Sequence, residues 1–435
     1  MNMLDIKFIK ENASQIKKTA QDKKINIDID HLLSVNENRV KLTSEIQKIK
    51  TEQNKLSKVK PDPETLEKLR KFKSEIVTLK EKLDSIEEEC LDLMVKVPTI
   101  PSPDVPFGKD DSENIEIYRW GEPTKFDFEP KSHIELAESL DLIDFTRGSK
   151  VAGYRGYYVK NEAVMLQMGL MMYALDKLIK KGFTPVIPPT LVKEFVLFGS
   201  GYFSSRKYNP KVDEVYKIEN DEEKNPDGTI SKESKFLVGT AEPSILAYYS
   251  DETLEEKDLP MKICGFSQCY RSEIGSYGKN TKGIYRVHEF MKIEQVGITH
   301  ANTEEAEKIH QELRDVAKEI HEDLGIPYRE LIICTGDLSA GKYKQYDIEA
   351  WIPSMNSYGE TGSASNFLDW QSRRLNVKYR DKDATNYVYM LNSTAIPSPR
   401  MLIAIIENYQ QKDGTILLPK VLRQYVGKEI INLKK

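Results

Sequence analysis

Apolar positions recur every seven residues along the first quarter of the chain. Val35, Leu42, Ile49 and Leu56 form one row, with Ile46 on a second seam that polar Arg39 and Gln53 interrupt. Beyond Lys60-Pro61-Asp62-Pro63-Glu64, Leu69, Ile76, Leu83, Cys90 and Val97 form one row and Phe72, Leu79, Ile86 and Leu93 another. Apolar rows offset by three and four are the seam of a coiled coil. Two prolines in three residues cannot continue a helix. The pattern therefore predicts an antiparallel helical hairpin over about residues 30–97, ended by Pro98, Pro101, Pro103 and Pro106. Helices of about 30 residues reach about 45 Å, so the hairpin is expected to project as an arm. Ahead of it, residues 1–27 read as a short helix capped by Asp5.

From about Ile115 the period changes. Short aromatic and β-branched runs alternate with amphipathic helices, among them Ala163–Lys181, closed by Gly182, and Glu304–Leu324. Residues 204–235 are polar and charged around Asn225-Pro226-Asp227-Gly228, which predicts a surface insertion with a hairpin tip. The division expected is 1–110 for an N-terminal domain carrying the arm and 111–435 for an α+β domain.

Composition narrows the class. With 39% hydrophobic residues in 435, the chain can build large cores, which excludes wholesale disorder. Four cysteines, Cys90, Cys264, Cys269 and Cys334, without C-x-x-C spacing exclude a disulfide scaffold and argue against a thiolate zinc site. They suit a reduced, cytoplasmic setting. No apolar run of about 18 residues predicts a membrane span, and the early charge at Asp5 does not suit a secretory signal. The net charge of -5 weighs at first against a nucleic-acid partner. Its distribution reverses that. Residues 1–97 hold 20 basic and 18 acidic side chains, and residues 48–73, around the arm tip, hold nine basic and four acidic ones. A net +5 on a lever is a handle for a polyanion. A spacer or dimerisation coiled coil with a solvated charged face is the alternative.

Two stretches carry candidate chemistry. There is no Walker loop and no G-x-G-x-x-G, so a nucleotide must be held another way. Ile263 to Glu273 reads as a strand with Arg271 and Glu273 on one face. A basic loop through Gly275, Ser276, Gly278, Lys279, Asn280, Lys282 and Gly283 follows. A return strand begins at Tyr285, with Arg286, His288, Phe290, Lys292 and Glu294 alternating with Val287, Met291 and Ile293. Arginines grip phosphate oxygens in pairs, and an aromatic face stacks on a purine. A salt-bridged hairpin with no ligand is the alternative. Nearer the C-terminus, a strand from Asp347 to Pro353 leads to Glu360-Thr361-Gly362-Ser363. Asp369-Trp370-Gln371-Ser372-Arg373-Arg374 precedes another strand, and Leu391 to Arg400 runs into an apolar helix, Met401–Tyr409. Pro399 suits its first turn and places Arg400 at a helix N-terminus, where anions are favoured. A structural role for Arg400 is the alternative.

Together these residues resemble seryl-tRNA synthetases, class II aminoacyl-tRNA synthetases, over essentially the whole chain. Three motifs carry the resemblance: the Ala163–Gly182 helix with the strand to Pro189, Tyr270-Arg271-Ser272-Glu273 through Arg286-Val287-His288-Glu289-Phe290 to Glu294, and the segment through Arg400. Thr240-Ala241-Glu242, His133-Ile134-Glu135-Leu136, Gly153-Tyr154-Arg155-Gly156-Tyr157-Tyr158 and Asn54-Lys55-Leu56-Ser57-Lys58 add to it. The resemblance implies an antiparallel sheet of six or seven strands flanked by helices, and a homodimer built on the first motif. It implies that Arg271 holds the α-phosphate and Arg286 the γ-phosphate of ATP, with Val287 in the same site. Phe290 and Arg400 would sandwich adenine, and Glu273 would meet its amino group. Glu360 and Ser363 would ligate Mg²⁺. Thr240, Glu242, Glu294, Asn392 and Thr394, with Arg271, would line a serine pocket. Arg271 and Arg400 would stabilise charge during adenylation. The arm, through Lys55, Lys58 and Arg70, would hold tRNA(Ser), with tRNA(Sec) a second acceptor. The chain departs from the family pattern at Tyr270, Gly362 and Pro399, and Asn392-Ser393-Thr394 looks like archaeal or eukaryotic members. An amino-acid:carrier-protein ligase and a non-catalytic RNA-binding paralogue are the competing functions.

Overall fold

The computed structural model describes residues 4–58, 62–219, 223–224, 227–231, 233–274, 283–382 and 384–433. The Lys60-Pro61 break, the Asn225-Pro226 tip and the basic loop from Gly275 to Lys282 lie outside them. Contacts divide the chain into residues 3–100 and 101–435. The division falls before the 110 drawn from sequence. Gly108 and Lys109 already belong to the larger unit, where Gly336 N donates to the Gly108 carbonyl and Cys334 Sγ reaches the Asp110 carbonyl.

In the smaller unit the short first helix is two, Ile6–Glu11 and Ala13–Asp22, and Asp5 accepts from Lys7 N (2.8 Å) as the cap. Helix α1 (Ile29–Leu56) pairs with α2 (Pro63–Met94). Asp28 caps α1 by accepting from His31 N (3.0 Å), and Asp62 caps α2 by accepting from Thr65 N (2.7 Å), with Pro63 at the first helical position. Val35, Ile46, Ile76, Leu79 and Cys90 are the buried seam residues. The last heptad position, Val97, is buried but beyond the helix, which stops at Met94 ahead of Pro98.

The larger unit is built on an eight-stranded sheet. Its strands are β1 (Ile115–Trp120), β2 (Thr184–Val186), β3 (Met261–Tyr270), β4 (Glu289–Thr299), β5 (Tyr328–Ile332), β6 (Lys344–Ile352), β7 (Ser357–Asn366) and β8 (Tyr389–Pro397). They lie in the order β1-β5-β6-β7-β8-β4-β3-β2. All pairs are antiparallel except β2 with β3, so the sheet has one strand more than the longest form expected, and that edge strand is parallel. Helices α3 (Glu162–Lys180), α4 (Thr303–Asp323) and α5 (Ser398–Asn408) pack on it.

Alternation along β4 sorts its side chains. Ile293 joins the core with α3 and α5, Gln295 donates to the Leu313 carbonyl of α4 (3.0 Å), and Gly297 lies against Ile309. The even positions face the other way, with Val296 and Ile298 packing on Ala241 and Ile245. Lys292 and Glu294 therefore stand on the face turned away from the long helices.

Candidate active site

The site is the face of β3, β4, β7 and β8 opposite the long helices. Its geometry departs from the simple hairpin that spacing suggested. β3 stops at Tyr270, and the return strand begins at Glu289, not Tyr285. Arg271 and Glu273 thus do not share a strand face. Glu273 has left-handed backbone (φ 53°), which ends the extended run. Pairing continues irregularly: Arg271 N donates to the His288 carbonyl (3.0 Å), and the His288 ring hydrogen-bonds the Arg271 carbonyl (2.8 Å).

The turn folds Glu273 inward. Its carboxylate, 6% exposed, takes a hydrogen bond from Arg286 (3.0 Å) and an ion pair from Arg155 (3.7 Å). Arg155 also sits at positive φ (64°) with its side chain buried. In the sequence Arg155 is a lone arginine in a Gly/Tyr segment, with no periodicity to signal this partner. Arg271 lies over the Phe290 ring (5.6 Å) and bonds the Gly239 carbonyl (3.4 Å), beside Thr240. The Val287 side chain is in the core, so only its main chain is open to a ligand.

On the neighbouring strands a bulge does what spacing could not. Ile348 pairs with Gly362 but Glu349 pairs with Glu360, so Thr361 is the extra residue. Glu360 and Ser363, three apart, come onto one face, with Asp347 opposite Ser363. The bulged Thr361 points to the helices, where its hydroxyl meets His321 of α4 (2.8 Å). Arg400, on the first turn of α5, bonds the Glu360 carbonyl (2.8 Å) and carboxylate (3.1 Å). It covers the ring of Tyr285 (4.7 Å), whereas the guanidinium over Phe290 is that of Arg271. Burial would raise the Glu360 carboxyl, but Arg400 outweighs it and holds it low. Burial and the Glu360 carboxylate push Asp347 up. A carboxylate and a hydroxyl on one open face fit a hard cation that keeps water and phosphate ligands. No cluster of three His, Cys, Asp or Glu placed to hold a metal occurs among the described residues.

A second, buried group adjoins the first. Thr240 Oγ1 donates to Glu294 Oε2 (2.6 Å), and Lys292 forms an ion pair with the same oxygen while reaching Thr394 Oγ1 (3.3 Å). Another bulge, at Ala395, puts Thr394 opposite Glu294 and Asn392 opposite Val296. Glu242 accepts from Gln371 (2.7 Å) and lies 3.5 Å from the Tyr202 hydroxyl. Burial, then the Glu294 carboxylate, push Glu242 up to about 7. Gly265, opposite Glu294, lets Ala241 approach to where a Cβ would lie 2.8 Å away, which brings the Thr240–Glu242 turn onto the sheet. Lys292, Gln371 and Tyr202 were not expected here. Lys292 was legible in the alternation of β4. Gln371, on the helix Trp370–Leu375, and Tyr202 arrive from distant segments.

The 204–235 stretch is also more than surface. Tyr216–Ile218 and Lys235–Leu237 form the expected hairpin, but Asp213 and Val215 are buried, and Phe203 and Tyr208 each pack edge to face with Phe236. Ser272 N reaches the Glu214 carbonyl (3.4 Å), so the segment packs beside the arginine cluster.

Residues 216–409 match the model of the tRNA synthetase class II core domain (G, H, P, S and T), and residues 3–101 match that of the seryl-tRNA synthetase N-terminal domain. The serine–tRNA ligase of Treponema denticola is 41% identical over 98% of this chain and 99% of its own length. The chain belongs to the seryl-tRNA synthetase family. The ligase of Rubrobacter xylanophilus is 37% identical over 99% of both. Among solved structures, seryl-tRNA synthetase from Pyrococcus horikoshii complexed with ATP superposes with TM-score 0.87 at 36% identity over 100% of both chains. The cytoplasmic serine–tRNA ligase of Naegleria fowleri in complex with AMP gives 0.85 at 29%, covering 100% of this chain and 99% of its own. The fold is that of a class II synthetase core joined to a helical-hairpin domain.

Proposed function

We propose that this chain is an ATP-dependent serine–tRNA ligase, with the arginine cluster as its ATP site and the Glu242–Glu294 pocket as its serine site. The observation that carries the reading is their adjacency. Arg271 sits over Phe290 and bonds the residue next to Thr240, so one arginine borders both groups. Arg271 is assigned to the α-phosphate and Arg286 to the γ-phosphate. Phe290 stacks on adenine, with Arg400 on its other side once it leaves Tyr285. Glu273, held by Arg286 and Arg155, meets the adenine amino group, and the Val287 main chain borders the base. Glu360 and Ser363 would hold Mg²⁺, which neutralises phosphate charge when bound with ATP. Thr240, Glu242, Glu294, Asn392 and Thr394 take serine, whose ammonium suits the acidic pair. Buried groups built to bond a hydroxyl reject alanine by roughly 10⁴ or more.

No general base is needed for the first step. The serine carboxylate is already ionised and attacks the α-phosphorus in line, and pyrophosphate leaves. Arg271 and Arg400 position the reactants and stabilise developing charge. The terminal ribose hydroxyl of tRNA then attacks the seryl-adenylate carbonyl, releasing AMP. The basic arm tip is assigned to the tRNA(Ser) backbone, read by shape; tRNA(Sec) is a second acceptor to assay.

A homodimer is supported by Met165, Met172 and Ile179, exposed at seven-residue spacing on α3, and by Ile187, 82% exposed. No helix among the described residues is long and apolar enough to cross a membrane, and all four cysteines are unpaired, in keeping with a cytoplasmic placement. A carrier-protein ligase would lack the arm, and a non-catalytic paralogue would have lost site residues; both features stand. Pyrophosphate exchange across the twenty amino acids tests the reading. Serine alone should support exchange, and Arg271→Ala or Glu294→Ala should abolish it. Robust exchange in both variants overturns the site assignment.

A further inference from the structure

We propose that Lys292 is a positioning residue of the amino-acid pocket, whose buried ammonium sets the geometry of the Glu294 carboxylate that meets the incoming amino group. The inference rests on the serine-pocket reading above and adds a residue to which that reading gives no part. Lysine is almost never buried unless paired, yet Lys292 is 6% exposed. It lies two residues before Glu294 on the same face of β4. Its ammonium joins Glu294 Oε2 to Thr394 Oγ1 of β8 and so ties together two walls of the pocket. Thr240 donates to the same Oε2, which leaves Oε1 as the oxygen for a ligand.

The charge argument is independent of the geometry. Glu242 and Glu294 share one buried pocket, and like charges in a low dielectric cannot both ionise cheaply. The other titratable groups facing them are Cys269, whose thiol burial pushes up, Tyr202, also pushed up by burial, Lys342, whose charge acts on Glu242, and Arg271, which is engaged with the Gly239 carbonyl. Lys292 is the cation in contact with a carboxylate of the pair. Without it the Glu294 carboxylate loses both its contacting cation and the tie to Thr394 that holds Oε1 toward the pocket.

The test is pyrophosphate exchange by the full chain, with serine and ATP varied separately, for Lys292→Met, Lys292→Gln and Glu294→Gln. Lys292→Met should raise the serine KM about 30-fold or more, as loss of one member of a buried pair does. The ATP KM should stay within about threefold. Lys292→Gln, which keeps a donor and is read instead if the Met variant does not fold, should raise the serine KM about tenfold. Serine and ATP KM rising together, or an unchanged serine KM in a folded variant, overturns the proposal. If Glu294→Gln leaves the serine KM unchanged, the pocket assignment itself falls. If Glu294→Gln raises it and Lys292→Gln does not, only the role of Lys292 falls.

Discussion

Glu273 joins backbone strain to charge, and substitution separates the two. It is a non-glycine residue at φ 53°, and its carboxylate is 6% exposed against Arg286 at 3.0 Å and Arg155 at 3.7 Å. Left-handed backbone costs an L-residue about 1–2 kcal/mol. Alanine there keeps that cost and glycine removes it, while glycine gives back about 0.4–1 kcal/mol of unfolded-state entropy. Both variants lose the carboxylate. Glu273→Gly should therefore be more stable than Glu273→Ala by about 0.5–1 kcal/mol, on the order of 1 °C in the unfolding transition of the larger unit. Activity should not follow that order. A hydrogen bond between charged groups contributes about 1.5–3 kcal/mol, so losing the anchor of Arg286 should raise the ATP KM by about 10- to 150-fold in both variants. Glu273→Gln keeps a neutral acceptor and should lose about half of that free energy. Calorimetry and pyrophosphate exchange at saturating serine measure the two effects. An alanine variant as stable as the glycine one refutes the strain argument. An ATP KM within twofold of the parent in Glu273→Ala refutes the anchoring argument.

Two further outcomes follow from charge. Glu242 is raised from 4.5 to about 7, so between these values the folded chain holds a proton that the unfolded chain has lost. Stability should fall as pH rises through that window, and thermal unfolding of Glu242→Gln against pH should lose this component; an unchanged slope would mean Glu242 does not titrate there. On the arm, Lys55 is exposed beside Glu52 (2.7 Å), and Lys58 and Arg70 are exposed. Replacing all three by alanine should weaken tRNA binding and flatten the log–log salt dependence by about two to three, leaving pyrophosphate exchange intact. An unchanged slope would make the arm's charge mere solvation.

Much was legible in order along the chain. Heptads and prolines predicted the paired helices α1 and α2 because a coiled-coil seam is a local period. Alternation around Ile293 placed Phe290, Lys292 and Glu294 on one face of β4. What failed was conformation with no period: Glu273 leaving the strand, the bulges at Thr361 and Ala395, and the packing of Asp213 and Val215 beneath a stretch that reads as polar. Composition averaged over residues 204–235 concealed those few buried positions.

By itself, the sequence determined the helical hairpin, the strand alternation and the types of chemical group available, since each depends on near neighbours in the chain. Only the tertiary structure decided which groups meet. Arg155 reaches Glu273, Gln371 reaches Glu242, and Arg400 reaches Glu360 across separations that carry no sequence signal. Bulges and strand register turned Glu360 with Ser363, and Glu294 with Thr394, toward common sites. The physical reason is the twofold period of a strand: one inserted residue reverses which side chains share a face, and it costs too little locally to leave a mark in composition.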